Sequence, residues 1–408
     1  MDFEFSEKSQ RIQARLKDFI AQNIAPRQTE YKRLVVEQGV FPPPFIEELK
    51  SKARAEGLWN LFLPGLKPDE PGTQLSNLDY APCAEIMGRI PWSSEVFNCN
   101  APDTGNMELL HLAANARQKT QWLTPLLEGK IRSAFAMTEI DVASSDATNI
   151  RTSIKRAGPD WIIDGRKWFI TNAADPRCKL FIVMGQTGPE RPEPHKRHSM
   201  VLVPSDSKGL KIIRNPPVMH HVHPEGHCEV LFENVRVPAD NLLGEEGGGF
   251  ALAQARLGPG RIHHCMRSIG ACELALELMV ARATSRQAFG APLADHGTIC
   301  EWIALSRIEI EQARLLVLKA AWLMDRDGNQ AARREVALIK VIVPRIQVAI
   351  ANRAMQVFGA AGLTQDTPLA DIWSWGRALQ IVDGPDEVHL RAIARGEIKS
   401  SGKNGKKG

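Results

Sequence analysis

An aspartate stands directly before a glycine at Asp383-Gly384, inside the string Val382-Asp383-Gly384-Pro385-Asp386-Glu387-Val388. A carboxylate there has open backbone beside it, because glycine carries no side chain to block a ligand. Most Asp-Gly pairs are turns, and turn chemistry alone would account for this one. More than two hundred residues earlier comes Phe135-Ala136-Met137-Thr138-Glu139, followed by the hydroxyl pair Ser144-Ser145. Taken alone, that stretch is a Ser/Thr-rich loop after a strand. Four histidines, His220, His221, His223 and His227, form a third cluster. A His-rich tract can bind metal. No carboxylate or cysteine completes a recognised ligand spacing around it, so no metal site is expected. No Gly-x-Gly-x-x-Gly string opens a strand–helix unit, which leaves a nicotinamide Rossmann site unsupported.

Three stretches of different period must position these residues. Up to about residue 133 the pattern is helical: Leu16, Phe19 and Ile20 sit at helix spacing, as do Phe45, Leu49, Ala53 and Leu58 approximately. Pro42-Pro43-Pro44 separates those helices, since proline lacks the donor a helix interior needs. From Ala134 to about 245 the period changes to that of strands. Ile150, Thr152 and Ile154 alternate with polar neighbours. Asp164-Gly165 between Trp161-Ile162-Ile163 and Lys167-Trp168-Phe169-Ile170 predicts a hairpin turn. Leu180–Met184, Met200–Val203 and Val230–Phe232 are further strand candidates. After Gly247-Gly248-Gly249 helical stripes return, through Ile269, Cys272, Leu276, Met279 and Ala283, and again through Val336, Ile339, Val343, Ile346 and Ile350. Pro344 should kink or break the second stripe. Leu257-Gly258-Pro259-Gly260-Arg261-Ile262-His263-His264 is expected to open the first long C-terminal helix, with its positive end favouring anions near Arg261. The adjacent His263 and His264 cannot share a helix face and read as structural or pocket-lining. The expected division is a helical part over 1–133, a β middle over 134–245, a helical bundle over 246–399 and a disordered tail over 400–408.

Composition narrows the function classes. The net charge of +4 over 408 residues does not suggest a nucleic-acid grip. Seven scattered cysteines without a Cys-x-x-Cys pair argue against a disulfide framework or structural zinc. The N-terminal stretch shows neither secretory nor transit character, and no apolar run reaches the ~20 residues a bilayer span needs. A reducing, cytoplasmic setting is the expectation.

The order helical, β, helical, together with these strings, resembles the acyl-CoA dehydrogenase family over nearly the whole chain. The resemblance implies a mostly α fold with a β-sheet middle domain and a C-terminal four-helix bundle. It also implies bound FAD. Phe135, Met137, Thr138, Ser144 and Ser145 match the family's first flavin segment, where Thr and backbone groups bond the ring. Ile140 departs from that pattern, which commonly has proline there, and the loop is one residue longer. Trp168-Phe169-Ile170-Thr171-Asn172 is similar to the second segment. There Thr171 matches the residue near flavin N5, and Phe169 takes the ring-packing role, because Trp168 should face the other side of a strand. Arg286-Gln287-Ala288-Phe289-Gly290 resembles the segment that holds a partner subunit's FAD, with Arg286, Phe289, Leu293 and His296 as contacts. An Arg fork suits the pyrophosphate. Gln356, Val357 and Ala360 match the Gly-rich turn at the adenosine diphosphate end, where Gly359 and Gly362 allow close approach. Arg261, Ser145 and Gly384 match substrate-side positions, and Glu387 one near the cofactor.

Asp383 falls where the family commonly places a catalytic Glu, one methylene longer. The strings Asp-Gly-Pro-Asp-Glu-Val-His, Asp-Pro-Arg-Cys and Leu-Gly-Pro-Gly-Arg-Ile-His-His are most similar to one branch, which in animals is fused to a kinase-like domain of the aminoglycoside-phosphotransferase type. The implied reaction is α,β-dehydrogenation of an acyl-CoA, within fatty acid β-oxidation. Asp383 takes the α-proton while hydride leaves the β-carbon for flavin N5. The implied partners are an electron-transferring flavoprotein as oxidant and further copies of the chain in a homodimer or homotetramer. Three alternatives stand beside this reading: a nitroalkane-oxidase-like flavin oxidase, which also uses an Asp base, a DNA-binding flavoprotein, and a non-catalytic subunit.

Overall fold

The computed structural model describes residues 4–66 and 68–404. Its longer helices are α1 (Glu7–Phe19), α2 (Phe45–Ala55), α3 (Asn77–Gly88), α4 (Asp103–Ala113), α5 (Gly249–Ser285), α6 (Gly297–Asp327), α7 (Arg333–Phe358), α8 (Leu369–Leu379) and α9 (Asp386–Asn404). The main strands are β1 (Arg132–Ala136), β2 (Ser153–Ala157), β3 (Asp160–Thr171), β4 (Cys178–Gln186), β5 (His198–Pro204), β6 (Leu210–Arg214), β7 (His227–Pro238) and the short β8 (Leu242–Leu243). The fold is mostly helical with a β-sheet middle, as expected. Two compact units form from interleaved segments: Met1–Ala21, Leu75–Ser94 and Arg261–Gly408 in one, Gln22–Gln74 and Glu95–Gly260 in the other. Among the described residues no helix is long and apolar enough to cross a membrane.

In the helical unit, α1 starts where the Ser6 side chain accepts from the Ser9 amide, satisfying an orphan N–H, and buries Ile12, Leu16 and Phe19. Both predicted C-terminal stripes lie in the core. Pro344 does not break its helix: α7 runs through it as one element, packed against α6, α8 and α9. A proline removes one helix hydrogen bond, a loss of about 3 kcal/mol that the burial of a whole helix face can offset. The glycine-rich Leu257–Gly260 stretch likewise lies inside α5, which begins at Gly249, so Arg261 is not at a helix N-terminus. The expected tail is helical through Asn404, because α9 continues; 405–408 lie outside the described residues.

Helices α3 and α5 meet through two glycines. A Cβ on Gly270 would fall 1.9 Å from the Glu85 carbonyl oxygen, and one on Gly88 would fall 2.0 Å from the Arg267 carbonyl oxygen. Neither obstacle is a flexible side chain, so the backbones would have to part. Gly270→Ala is therefore expected to destabilise by about 3 kcal/mol, despite alanine's better helix propensity. Thermal unfolding checks this, with Gly396→Ala, which has open space at its Cβ inside α9 and should stabilise by up to about 1 kcal/mol, as the control.

In the β unit the sheet order is β6-β7-β3-β2-β4-β5-β8, with β1 parallel to β4. Strands β4 and β5 are almost wholly buried, which accounts for their continuous apolar runs. The hairpin falls at Gly158-Pro159, between β2 and β3, and not at Asp164-Gly165. Asp164-Gly165 lies inside β3, at a register shift against β7. A Cβ on Gly165 would sit 2.3 Å from Thr152 Oγ1, and Asp164 Oδ1 accepts from the Asn234 amide at 2.7 Å. Bulges and turns draw on the same residue types, so the dipeptide could not tell one from the other.

At the start of β1 the buried Arg132 guanidinium meets Glu95 at 2.5 Å and Asp103 at 3.3 Å. Arg177 at 2.7 Å and Lys50 at 3.3 Å converge on the same Glu95 carboxylate. Burial pushes the Glu95 carboxyl up, but Arg132, Lys50 and Arg177 together overwhelm that and hold it far below the usual carboxylate range.

Candidate active site

The expected site residues fall in both units, and each set is built on its own scaffold. In the β unit, Phe135 lies near the end of β1, half-buried, with the Arg256 guanidinium over its ring at 4.2 Å. Arg256 is itself held by Asn106 Oδ1 at 2.9 Å. Beyond β1 the chain is pinned by Lys167, a fully buried lysine. Its ammonium donates to the Met137 carbonyl at 2.8 Å, the Met184 carbonyl at 2.7 Å and Glu139 Oε1 at 2.9 Å. Burial lowers the Lys167 pKa to about 8 against the pull of Glu139. The Glu139 carboxylate also accepts from the Arg151 and Thr152 amides, both at 2.8 Å, and the Trp168 amide donates to the Thr138 carbonyl at 3.0 Å. Thr138 is thereby fixed from both sides. Ser144 is spent within its loop, its Oγ accepting from the Glu139 amide at 2.9 Å, while Ser145 is exposed.

Strand alternation does not separate Trp168 from Phe169. Between Lys167 and Ile170 the register of β3 shifts, and Phe169 takes a left-handed φ of 52°. The two rings lie 4.6 Å apart, tilted at 56°. Phe169 is 48% exposed and Trp168 half-buried, so both present aromatic surface near this loop. Thr171 closes the set, its hydroxyl 3.0 Å from His227 Nδ1. Burial, with His223 beside it, lowers His227 to about 4 and keeps that imidazole neutral at physiological pH. His227 thus belongs to the Thr171 contact, a role the sequence pattern did not show. Among the described residues no group of three His, Cys, Asp or Glu could hold a metal ion.

In the helical unit, Asp383 has a left-handed φ of 54° and Gly384 follows at 99°. Arg261 Nε donates to the Asp383 carbonyl at 2.8 Å. The Asp383 Oδ2 atom lies 3.2 Å from His264 Nε2, with 21% of the Asp383 side chain exposed. His264 was expected to be structural or pocket-lining. It is three residues beyond Arg261 on α5, and that helical step brings both to the Asp383 turn. His263, on another face, packs edge-on against Tyr80 at 5.1 Å. A Cβ on Gly384 would meet His389 Nε2 at 3.1 Å, so glycine keeps the far side of the turn close-packed. Asp386 pairs with Arg345 at 2.8 Å, and Glu387 is exposed.

The remaining predicted residues surround two turns of the same unit. Between the short strands Gln287–Ala288 and Ala291–Pro292, Phe289 is 99% exposed at a φ of 53°, with its ring 6.3 Å from that of His296. Arg286 is exposed, and the Leu293 amide donates to its carbonyl at 2.8 Å. At the end of α7, Gln356 and Ala360 are exposed, whereas the Val357 side chain is buried, leaving a ligand only its backbone. A Cβ on Gly362 would fall 2.6 Å from the Met355 carbonyl, so no other residue fits that turn. Each set suits part of a flavin nucleotide. In the β unit Phe169 offers an exposed ring, and Thr138 and Thr171 offer hydroxyls, for its planar part; in the helical unit Phe289 offers an exposed ring and Arg286 an exposed guanidinium for phosphate.

Three sequence profiles of one family match the chain: acyl-CoA dehydrogenase N-terminal domain over residues 6–130, middle domain over 134–235 and C-terminal domain over 247–398. Among curated relatives, "Probable acyl-CoA dehydrogenase FadE2" of Mycobacterium tuberculosis is 55% identical, covering 98% of this chain and 97% of its own. Acyl-CoA dehydrogenase family member 11 of Gallus gallus is 49% identical over 98% of this chain, which spans only 52% of that longer protein. A solved structure from Mycobacterium abscessus superposes with a TM-score of 0.93 at 46% identity, covering 98% of this chain and 100% of that one.

Proposed function

The chain belongs to the acyl-CoA dehydrogenase family of FAD-dependent oxidoreductases, and from that premise we propose that it oxidises an acyl-CoA thioester to the trans-2-enoyl-CoA with Asp383 as the base. One observation carries the assignment: a carboxylate on a left-handed turn, its carbonyl gripped by Arg261 and its Oδ2 beside His264. When bound, FAD supplies the hydride acceptor at N5. Phe135, Met137, Thr138, Phe169 and Thr171 would hold its ring system, Gln356 and Ala360 its adenosine diphosphate end, and Arg286 and Phe289 the FAD of a second copy of the chain.

The residues of this chain do the rest. A thioester α-proton is too weakly acidic for a free carboxylate, so its carbonyl oxygen must be polarised by fixed donors. The Asp383 backbone N–H serves as one such donor. Asp383 then accepts the α-proton. Arg261 binds through the Asp383 carbonyl and so sets where the carboxylate begins. The exposed Phe289 ring supports a role in holding the cofactor of a second copy of the chain, in a homodimer or homotetramer. An electron-transferring flavoprotein is the proposed oxidant of the reduced enzyme.

Anaerobic mixing of the purified holoprotein with saturated acyl-CoAs of graded length and branching tests the reading. Bleaching of the visible flavin band within a turnover is expected for one class of acyl group. No bleaching by any acyl-CoA at full FAD occupancy would overturn it. Oxygen consumption with a nitroalkane and without acyl-CoA would move the assignment to an Asp-base oxidase.

A further inference from the structure

We propose that His264 is a positioning residue for Asp383, donating from Nε2–H to Oδ2 and so fixing the orientation of a base one methylene shorter than a glutamate. The inference rests on the reading of Asp383 as the proton acceptor.

The protonation pattern follows from the neighbours. Arg267 Nη2 lies 3.1 Å from His264 Nδ1, both on α5. A guanidinium has N–H donors and no acceptor, so Nδ1 must present its lone pair. A neutral imidazole then carries its proton on Nε2, the atom 3.2 Å from Asp383 Oδ2. Burial is the main influence lowering the His264 pKa. Asp383 partly opposes it, and Arg267 and Lys340 reinforce it. Trp375 closes the pocket, its ring centroid 6.3 Å from that of the imidazole. The imidazole is therefore neutral, in one tautomer, and buried to within 9% of full enclosure.

The arrangement answers a geometric need. A carboxylate on a short side chain has little reach, and a misplacement near 1 Å can lower a rate roughly a hundredfold. Here the backbone is placed by Arg261 on the Asp383 carbonyl and by the left-handed turn, and the side chain by His264. One carboxylate oxygen accepts from the imidazole, which fixes the plane of the carboxylate. Arg261, His264 and Arg267 follow one another at three-residue steps along α5, so one helix orders the whole set.

The test compares His264→Gln with His264→Met in the FAD-loaded protein. Glutamine keeps an N–H donor near the reach of Nε2; methionine fills similar volume without one. The readouts are the limiting rate of anaerobic flavin reduction by the best acyl-CoA and the substrate concentration giving half that rate. Expected for His264→Met is a ~100-fold slower limiting rate with little change in half-saturation, and for His264→Gln recovery to within about tenfold of the parent. With α-deuterated substrate, the isotope effect should grow in the Met variant. Reduction at the parental rate in His264→Met overturns the inference. Equal slowing in both variants also overturns it, because it assigns His264 a packing role alone. Where His264→Met fails to fold, His264→Asn, whose amide is too short to reach Asp383, takes its place with the same expectations. If the parent protein is reduced by no acyl-CoA, the Asp383 reading itself fails and takes this inference with it.

Discussion

Asp383→Asn is expected to retain FAD and lose flavin reduction by acyl-CoA, with the rate falling by about 10⁴-fold, the upper end of what general-base catalysis contributes. The substitution is a narrow one. Asparagine matches aspartate in shape and tolerates the left-handed φ of 54° that this position requires. Its amide oxygen can still accept from His264 Nε2, 3.2 Å from the present Oδ2. The Arg261 contact is to the main-chain carbonyl and survives. What disappears is the capacity to take a proton. Stopped-flow absorbance at matched FAD content measures the outcome, and full-speed reduction in the variant removes Asp383 from the mechanism.

Glu95→Gln is the largest stability loss expected, about 3–5 kcal/mol, since it removes the shared anion from a cluster of buried cations. Arg132 is 1% exposed and Lys50 fully buried, and Arg177 keeps Asp175 at 2.8 Å and the half-exposed Glu47 at 3.5 Å. Exposed pairs such as Arg11–Glu7 make a fair contrast, because Glu7→Gln should change stability by less than about 1 kcal/mol. Chemical denaturation compares the two. The pH dependence has a definite sign. With its folded-state pKa held below the ordinary 4.5, Glu95 contributes stability that is complete above that value. That contribution drains away as pH falls below 4.5 toward the folded pKa. The Gln variant should therefore differ most from the parent at neutral pH and converge on it in acid.

Much of this architecture was legible in the residue pattern. The stripes through Ile269–Ala283 and Val336–Ile350 are core, and the apolar runs of β4 and β5 are the strands they suggest. Local breakers were less informative. Pro344 and Gly258-Pro259-Gly260 sit inside long helices because packing over a whole helix outweighs one missing hydrogen bond. Asp164-Gly165 serves a bulge and Gly158-Pro159 the turn, a choice made by the close approach of Thr152. At the site, the strings around Thr138, Phe169 and Asp383 stood out in the sequence, but three contacts did not. The pairing of His264 with Asp383 joins distant parts of the chain, and so do the contacts of His227 with Thr171 and Lys167 with the Met137 carbonyl. Long-range contacts of this kind leave no periodic trace in a single sequence. Phe169 misled for another reason: its left-handed backbone suspends the alternation that a regular strand would impose.

With Asp383 as the proposed base, its left-handed turn also sets thermostability and activity against each other. A non-glycine residue held at positive φ stores strain on the order of 1 kcal/mol, and glycine would release it. Any optimisation of this protein that scores melting temperature alone should thus favour Gly at position 383 and remove the carboxylate without any visible harm to the fold. Engineering for heat resistance will have to hold Asp383 fixed, and libraries selected only for solubility or expression should accumulate well-folded, yellow, inactive variants that have lost it.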